Sequence, residues 1–149
     1  MLEVIQSLNR HEVRYKIVGA LAMNLNGVIR ATEDMDMFVE ATSDNIDRLK
    51  AALFEVWQDP SIGEISYEDL AGEYPSVAYG PPDEKFMMDI LARLGEMFDY
   101  HNIEAHRILI REVPVQIATP RMLYEMKRNT VRPQDHVDAD RIRSQFKLE

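Results

Sequence analysis

The chain has 149 residues, 17 basic and 26 acidic, for a formal net charge of -9, and it contains no cysteine. That length suits a single domain with a core of its own. The missing cysteines exclude disulfides and thiolate metal sites, and the acidic balance disfavours a surface built to wrap nucleic acid. No apolar run approaches the roughly 20 residues that span a bilayer, and the opening MLEVIQSLNRHEVRY mixes charged and apolar positions unlike a signal peptide. A cytoplasmic protein is expected.

Val4, Ile5 and Leu8 recur at helical spacing and predict an opening amphipathic helix. Tyr15 to Val18 is short, apolar and β-prone and ends at Gly19. A helix from Ala20 to Asn26 follows, closed by Gly27. Met35 to Val39 predicts a second strand, with Asp34 and Asp36 alternating against Met35 and Met37. A long helix is expected from Ser43 or Asp44 to Trp57, capped by one of those two residues, with Ile46, Leu49, Leu53 and Val56 or Trp57 as its buried stripe.

Residues 58–73 carry Pro60, Gly63 and Gly72 and give no clear element. Val77 to Tyr79, the turn Gly80-Pro81-Pro82-Asp83, and Phe86 to Leu91 predict strand, turn and strand. Arg107 to Ile110 and Val113 to Ile117 suit a hairpin around Arg111-Glu112. Pro120 to Arg128 begins a helix with Thr119 as its cap, and Pro133 opens a last helix towards Phe146. Mixed strands and helices predict an α+β domain. No repeat or linker divides residues 1–149, and 119–149 is expected as a helical segment of the same domain.

The chemistry centres on acids. Residues two apart on a strand project from one face, so Asp34 and Asp36 lie side by side. Adjacent carboxylates repel, and a hard divalent cation, magnesium or manganese, relieves that repulsion. An Asp-x-Asp pair also suits the wet face of a half-covered sheet. Asp89 sits inside the apolar run Phe86-Met87-Met88-Asp89-Ile90-Leu91, where a carboxylate is costly unless something pairs with it. That partner is either a metal shared with Asp34 and Asp36, or an arginine such as Arg93 or Arg107. At Val18-Gly19-Ala20 a strand meets a helix, and free N–H groups at a helix start attract phosphate. The basic tail, with Arg121, Lys127, Arg128, Arg132, Arg141, Arg143 and Lys147, is a solvated face or a wall turned towards a phosphate-rich ligand. His11, His101, His106 and His136 share no zinc-ligand spacing.

Taken together, GALAMNLNGVIRATEDMDMFV, a third acid at Asp89, and the tail from Met126-Lys127-Arg128 to Arg132-Pro133-Gln134-Asp135-His136-Val137-Asp138 resemble the nucleotidyltransferase superfamily with the polymerase-β-like fold. In particular the chain looks like the small stand-alone bacterial and archaeal members, including the AbiEii-like group. The resemblance implies a mixed β-sheet flanked by helices, with C-terminal helices. It further implies transfer of a nucleoside monophosphate from a nucleoside triphosphate, ATP among the candidates, to an acceptor hydroxyl. Asp34, Asp36 and Asp89 would be the catalytic and metal-binding acids, holding magnesium or manganese ions about 4 Å apart. Gly19, Ala20, Arg30, Lys127 and Arg128 would bind the nucleotide. The sequence departs from the pattern at Ala20, which offers phosphate no hydroxyl, and at Gln134, where related sequences often carry lysine.

The acceptor implied is a small molecule, a protein side chain or an RNA end. So short a chain would take its acceptor-binding surface from its own tail, from a second copy in a homo-oligomer or from a protein partner. The alternative is a non-catalytic binding module on the same fold, acting as a toxin–antitoxin component or regulatory partner.

Overall fold

A computed structural model describes residues 2–27, 34–73 and 75–148. Helix α1 (Leu2–Arg10) buries Val4, Ile5 and Leu8 against helix α3 (Ser43–Trp57), whose own buried face carries Ile46, Leu49, Ala52 and Leu53. Val56 and Trp57, expected to extend that stripe, are only half-buried. The α3 cap lies one residue earlier than expected. The Thr42 side chain accepts the Asn45 N–H, because Thr42 still has the extended backbone that capping requires.

Six strands form one mixed sheet: β1 (Tyr15–Val18), β2 (Asp34–Val39), β3 (Ser76–Tyr79), β4 (Met87–Leu91), β7 (Ala105–Ile110) and β8 (Val113–Ala118), in the order β3-β4-β2-β1-β8-β7. The pairs β1–β8 and β2–β4 are parallel, and β1–β2, β3–β4 and β7–β8 are antiparallel. The central strands are the most apolar. Ile17, Met35, Met37, Met88, Ile90, Val115 and Ile117 are fully buried, so methionine fills core directly beside the acids. The β7–β8 hairpin turns on Arg111 and Glu112, both at positive φ (48° and 69°), the geometry of a tight two-residue hairpin turn.

Helix α2 (Gly19–Leu25) leaves β1 directly, with no connecting residue. Asn26 ends it and joins it to β8 by donating to the Ala118 carbonyl (3.0 Å). Helix α5 (Pro120–Lys127) follows β8 with the Thr119 side chain as cap, as the sequence predicts, and α6 (Pro133–Phe146) packs along it. The stretch that gave no clear element holds a 3-10 turn over Pro60–Glu64 and the one-turn helix α4 (Tyr67–Leu70). Each is capped by a side chain (Asp59 and Ser66) and pinned by one buried residue (Ile62 and Leu70), too little periodicity to detect. A two-strand ribbon, β5 (Arg93–Leu94) with β6 (Phe98–Asp99), was likewise too short to foresee. Among the described residues no helix is long and apolar enough to cross a membrane.

Candidate active site

The parallel pairing of β2 with β4 sets Asp34 opposite Met87 and Asp36 opposite Asp89. Paired strands lie about 4.8 Å apart, so the two carboxylates are immediate neighbours. They share a side-chain hydrogen bond, which needs a proton on one of them. The Asp36 carboxyl is pushed up to about 6. Burial is the largest cause, followed by the hydrogen bond to Asp89, the charge of Asp89 and the charge of Asp34, with Lys127 opposing. A divalent cation could take the place of that shared proton and satisfy both acids.

Asp89 is an exposed residue, not a buried acid awaiting an arginine. Strand β4 alternates, with Met88 and Ile90 turned into the core and Met87 and Asp89 turned out. The apolar run thus covers both faces of the strand, and the expected desolvation cost does not arise. Asp34 is exposed at the start of β2, on the same face as Asp36, and its charge reaches Asp36. Among the described residues no group of three histidine, aspartate or glutamate side chains is arranged to hold a metal ion. The fit to a cation therefore rests on the Asp36–Asp89 pair, with Asp34 beside it.

A cleft of about 310 Å³ opens over this pair. Its floor is Val18, Gly19, Asp36, Phe38, Asp89 and Leu91, and α5 with the start of α6 supplies Leu123, Met126, Lys127, Arg132 and Asp135 on the opposite wall. Gly19 has φ +69°, and a Cβ there would lie 2.3 Å from Asp36 Oδ2. Position 19 is thus restricted to glycine by its own backbone and by the acid beside it. Ala20 follows in the first turn of α2, half-buried and away from the cleft lining.

Lys127, at the end of α5, lines the cleft, whereas Arg128 does not. The Arg128 guanidinium turns to Glu125 (3.3 Å) and stacks over Tyr124. Arg30 lies outside the described residues. Thr130 and Arg132, not expected as site residues, also line the cleft. In the sequence Arg132 is one charge of the basic tail and the start of the Arg132–Asp138 segment, with nothing to aim it at the acids, and nothing marks Thr130.

No family model matches the chain, and no curated protein matches it. Among solved structures, it superimposes on the aminoglycoside nucleotidyltransferase ANT(2")-Ia, crystallised in complex with adenylyl-2"-tobramycin, with a TM-score of 0.55 over 97% of this chain and 86% of that one, at 12% sequence identity. The fold is nucleotidyltransferase-like. At this identity the likeness concerns the fold, which in this chain is a six-strand mixed sheet with flanking and C-terminal helices.

Proposed function

We propose that the chain is a metal-dependent nucleotidyltransferase that moves a nucleoside monophosphate from a nucleoside triphosphate to an acceptor hydroxyl and releases pyrophosphate. The observation that carries this reading is the in-register pair Asp36 and Asp89 on parallel strands, facing one cleft beside the Gly19 turn. Asp36 and Asp89, flanked by Asp34, would hold magnesium or manganese. The bound ion supplies charge neutralisation for the phosphates and lowers the pKa of the acceptor hydroxyl.

The chain's own groups do the rest. The backbone at Gly19, where α2 begins, lets a phosphate approach the main chain closely, and Lys127 faces the same space from α5; the nucleotide-binding role expected of Ala20 has no counterpart in the cleft lining. Asp89, at the outer side of the pair, accepts the proton of the attacking hydroxyl. A trough of about 420 Å³ shares Ser76, Leu91 and Leu94 with the cleft and runs on past Arg93 to Glu73 and Glu96, giving the acceptor a place next to Asp89. Acids outnumber bases there, which suits a small-molecule hydroxyl better than an RNA end. The adenylyl-tobramycin held by the structural neighbour makes small polyhydroxylated acceptors the first class to try. Membership of the small AbiEii-like group, ATP among the triphosphates bound, a toxin–antitoxin setting and a cytoplasmic location belong to the same proposal, as does a single domain over residues 1–149.

The test is thermal stability with each ribonucleoside triphosphate, with and without magnesium, followed by pyrophosphate release with candidate acceptors. Magnesium-dependent stabilisation that disappears in Asp36→Ala, with turnover lost in Asp89→Ala, is expected. Stabilisation without turnover for any acceptor would assign the chain to the non-catalytic module instead. No stabilisation by any triphosphate would end both readings.

A further inference from the structure

Lys127 is distinguished by what stands behind it. Its ammonium bonds two carboxylates of α6, Asp138 Oδ2 at 3.1 Å and Asp135 Oδ1 at 3.4 Å. Asp138 is wholly buried, and its other oxygen accepts from Gln134 Nε2 (2.8 Å). Asp135, also buried, accepts from the Thr130 hydroxyl (2.8 Å). The acids therefore have fixed orientations of their own.

Burying a carboxylate costs several kcal/mol even when it is paired, and an apolar contact of the same volume clamps two helices at least as well. A clamp alone is thus poorly served by this cluster. What the cluster does supply is placement. A free lysine side chain samples many rotamers and loses that freedom when it is fixed, and here two acids hold it at the wall of the cleft that contains Asp36. An ammonium has three N–H donors; among the described residues the two acids engage two of them, which leaves the third for the cleft.

We propose that Asp138, assisted by Asp135, is a positioning residue that fixes the Lys127 ammonium to receive the phosphates of a nucleotide bound at the Asp36–Asp89 pair, an inference that rests on the nucleotidyl-transfer reading above. Gln134 and Thr130 act one step further out, by holding the two acids.

Calorimetric titration of the full chain with each magnesium–ribonucleoside triphosphate tests this, using wild type, Lys127→Met, Asp138→Asn and the double variant, with urea stability measured in parallel. Asp138→Asn keeps the shape and removes the charge. It is expected to weaken nucleotide binding about tenfold or more, the worth of one charge-assisted hydrogen bond. The double variant should bind no more weakly than Lys127→Met alone, since both changes disable one group. Its stability should recover relative to Lys127→Met, which strands a buried charge. Wild-type affinity in Asp138→Asn, or in Lys127→Met, overturns the inference and leaves the nucleotidyl-transfer reading standing. If Asp138→Asn does not fold, Asp135→Asn takes its place with the same two outcomes. A wild-type chain that binds no triphosphate overturns the proposed function, and this inference with it.

Discussion

The Asp36 carboxylate occupies the space in which a side chain at position 19 would begin, with Oδ2 2.3 Å from the Cβ that Gly19 lacks. Val18 pairs with Asp36 across β1 and β2, so the chain turns into α2 directly over the acid. One glycine therefore lets backbone and carboxylate approach the same cleft.

Gly19→Ala should cost about 1–3 kcal/mol from the positive φ alone, and more from the displaced Asp36. Urea denaturation gives the stability. Pyrophosphate release should fall further than the loss of folded protein explains, because the acid itself must move.

Asp36 predicts a specific pH dependence for the metal-free chain. Its carboxyl is raised from 3.8 to about 6, so the folded state holds a proton that the unfolded state has already lost. Between about pH 4 and pH 6 the folded state binds more protons, and stability falls as pH rises through that window. Each unit is worth about 1.4 kcal/mol; discounted for the partial exposure of the site, the loss should be about 1–2 kcal/mol. The difference between wild-type and Asp36→Asn denaturation curves across this window isolates the effect, and added magnesium should shrink it near neutral pH.

Asn45 is fully buried at the opposite end of β2 from Asp34. It accepts the Arg14 N–H (2.7 Å) and donates to the Arg14 and Glu40 carbonyls (3.1 and 2.8 Å), tying α3 to β1 and β2. Asn45→Ala strands these backbone groups, and a loss of about 2–4 kcal/mol is expected in chemical denaturation. Magnesium–nucleotide affinity of the folded fraction should be unchanged.

Thr119 caps α5 through the Met122 N–H (3.2 Å), and its hydroxyl donates to Glu104 (2.8 Å). Thr119→Ala should cost about 1 kcal/mol. Because α5 carries Met126 and Lys127 into the cleft, a small rise in the nucleotide dissociation constant should accompany it. Thr119→Ser, which keeps the hydroxyl, should restore both.

Much of the local structure was legible because each segment carried its own signal. The alternation around Asp34 and Asp36 marked β2, Arg111-Glu112 between two β-prone runs marked the hairpin, and Thr119-Pro120 marked the start of α5. Where adjacent polar residues compete, local sequence does not select the cap: Thr42, not Ser43 or Asp44, has the extended backbone of a cap. The exposure of Asp89 was not legible, because an apolar run does not reveal which of its residues face the core when the strand alternates. Lys127 and Arg128 were indistinguishable as neighbouring charges, yet the helix turns one to the cleft and the other to Glu125.

The sequence by itself determined the longer helices and the six sheet strands, the Asp-x-Asp face and the glycine that precedes it, since all depend on residues close together along the chain. Only the tertiary structure decided that Asp36 and Asp89 stand in register, and that α6 sends two buried acids to Lys127. Those relationships join segments far apart in sequence, and strand order, register and helix docking are selected by the packing of the whole core, which no local pattern encodes.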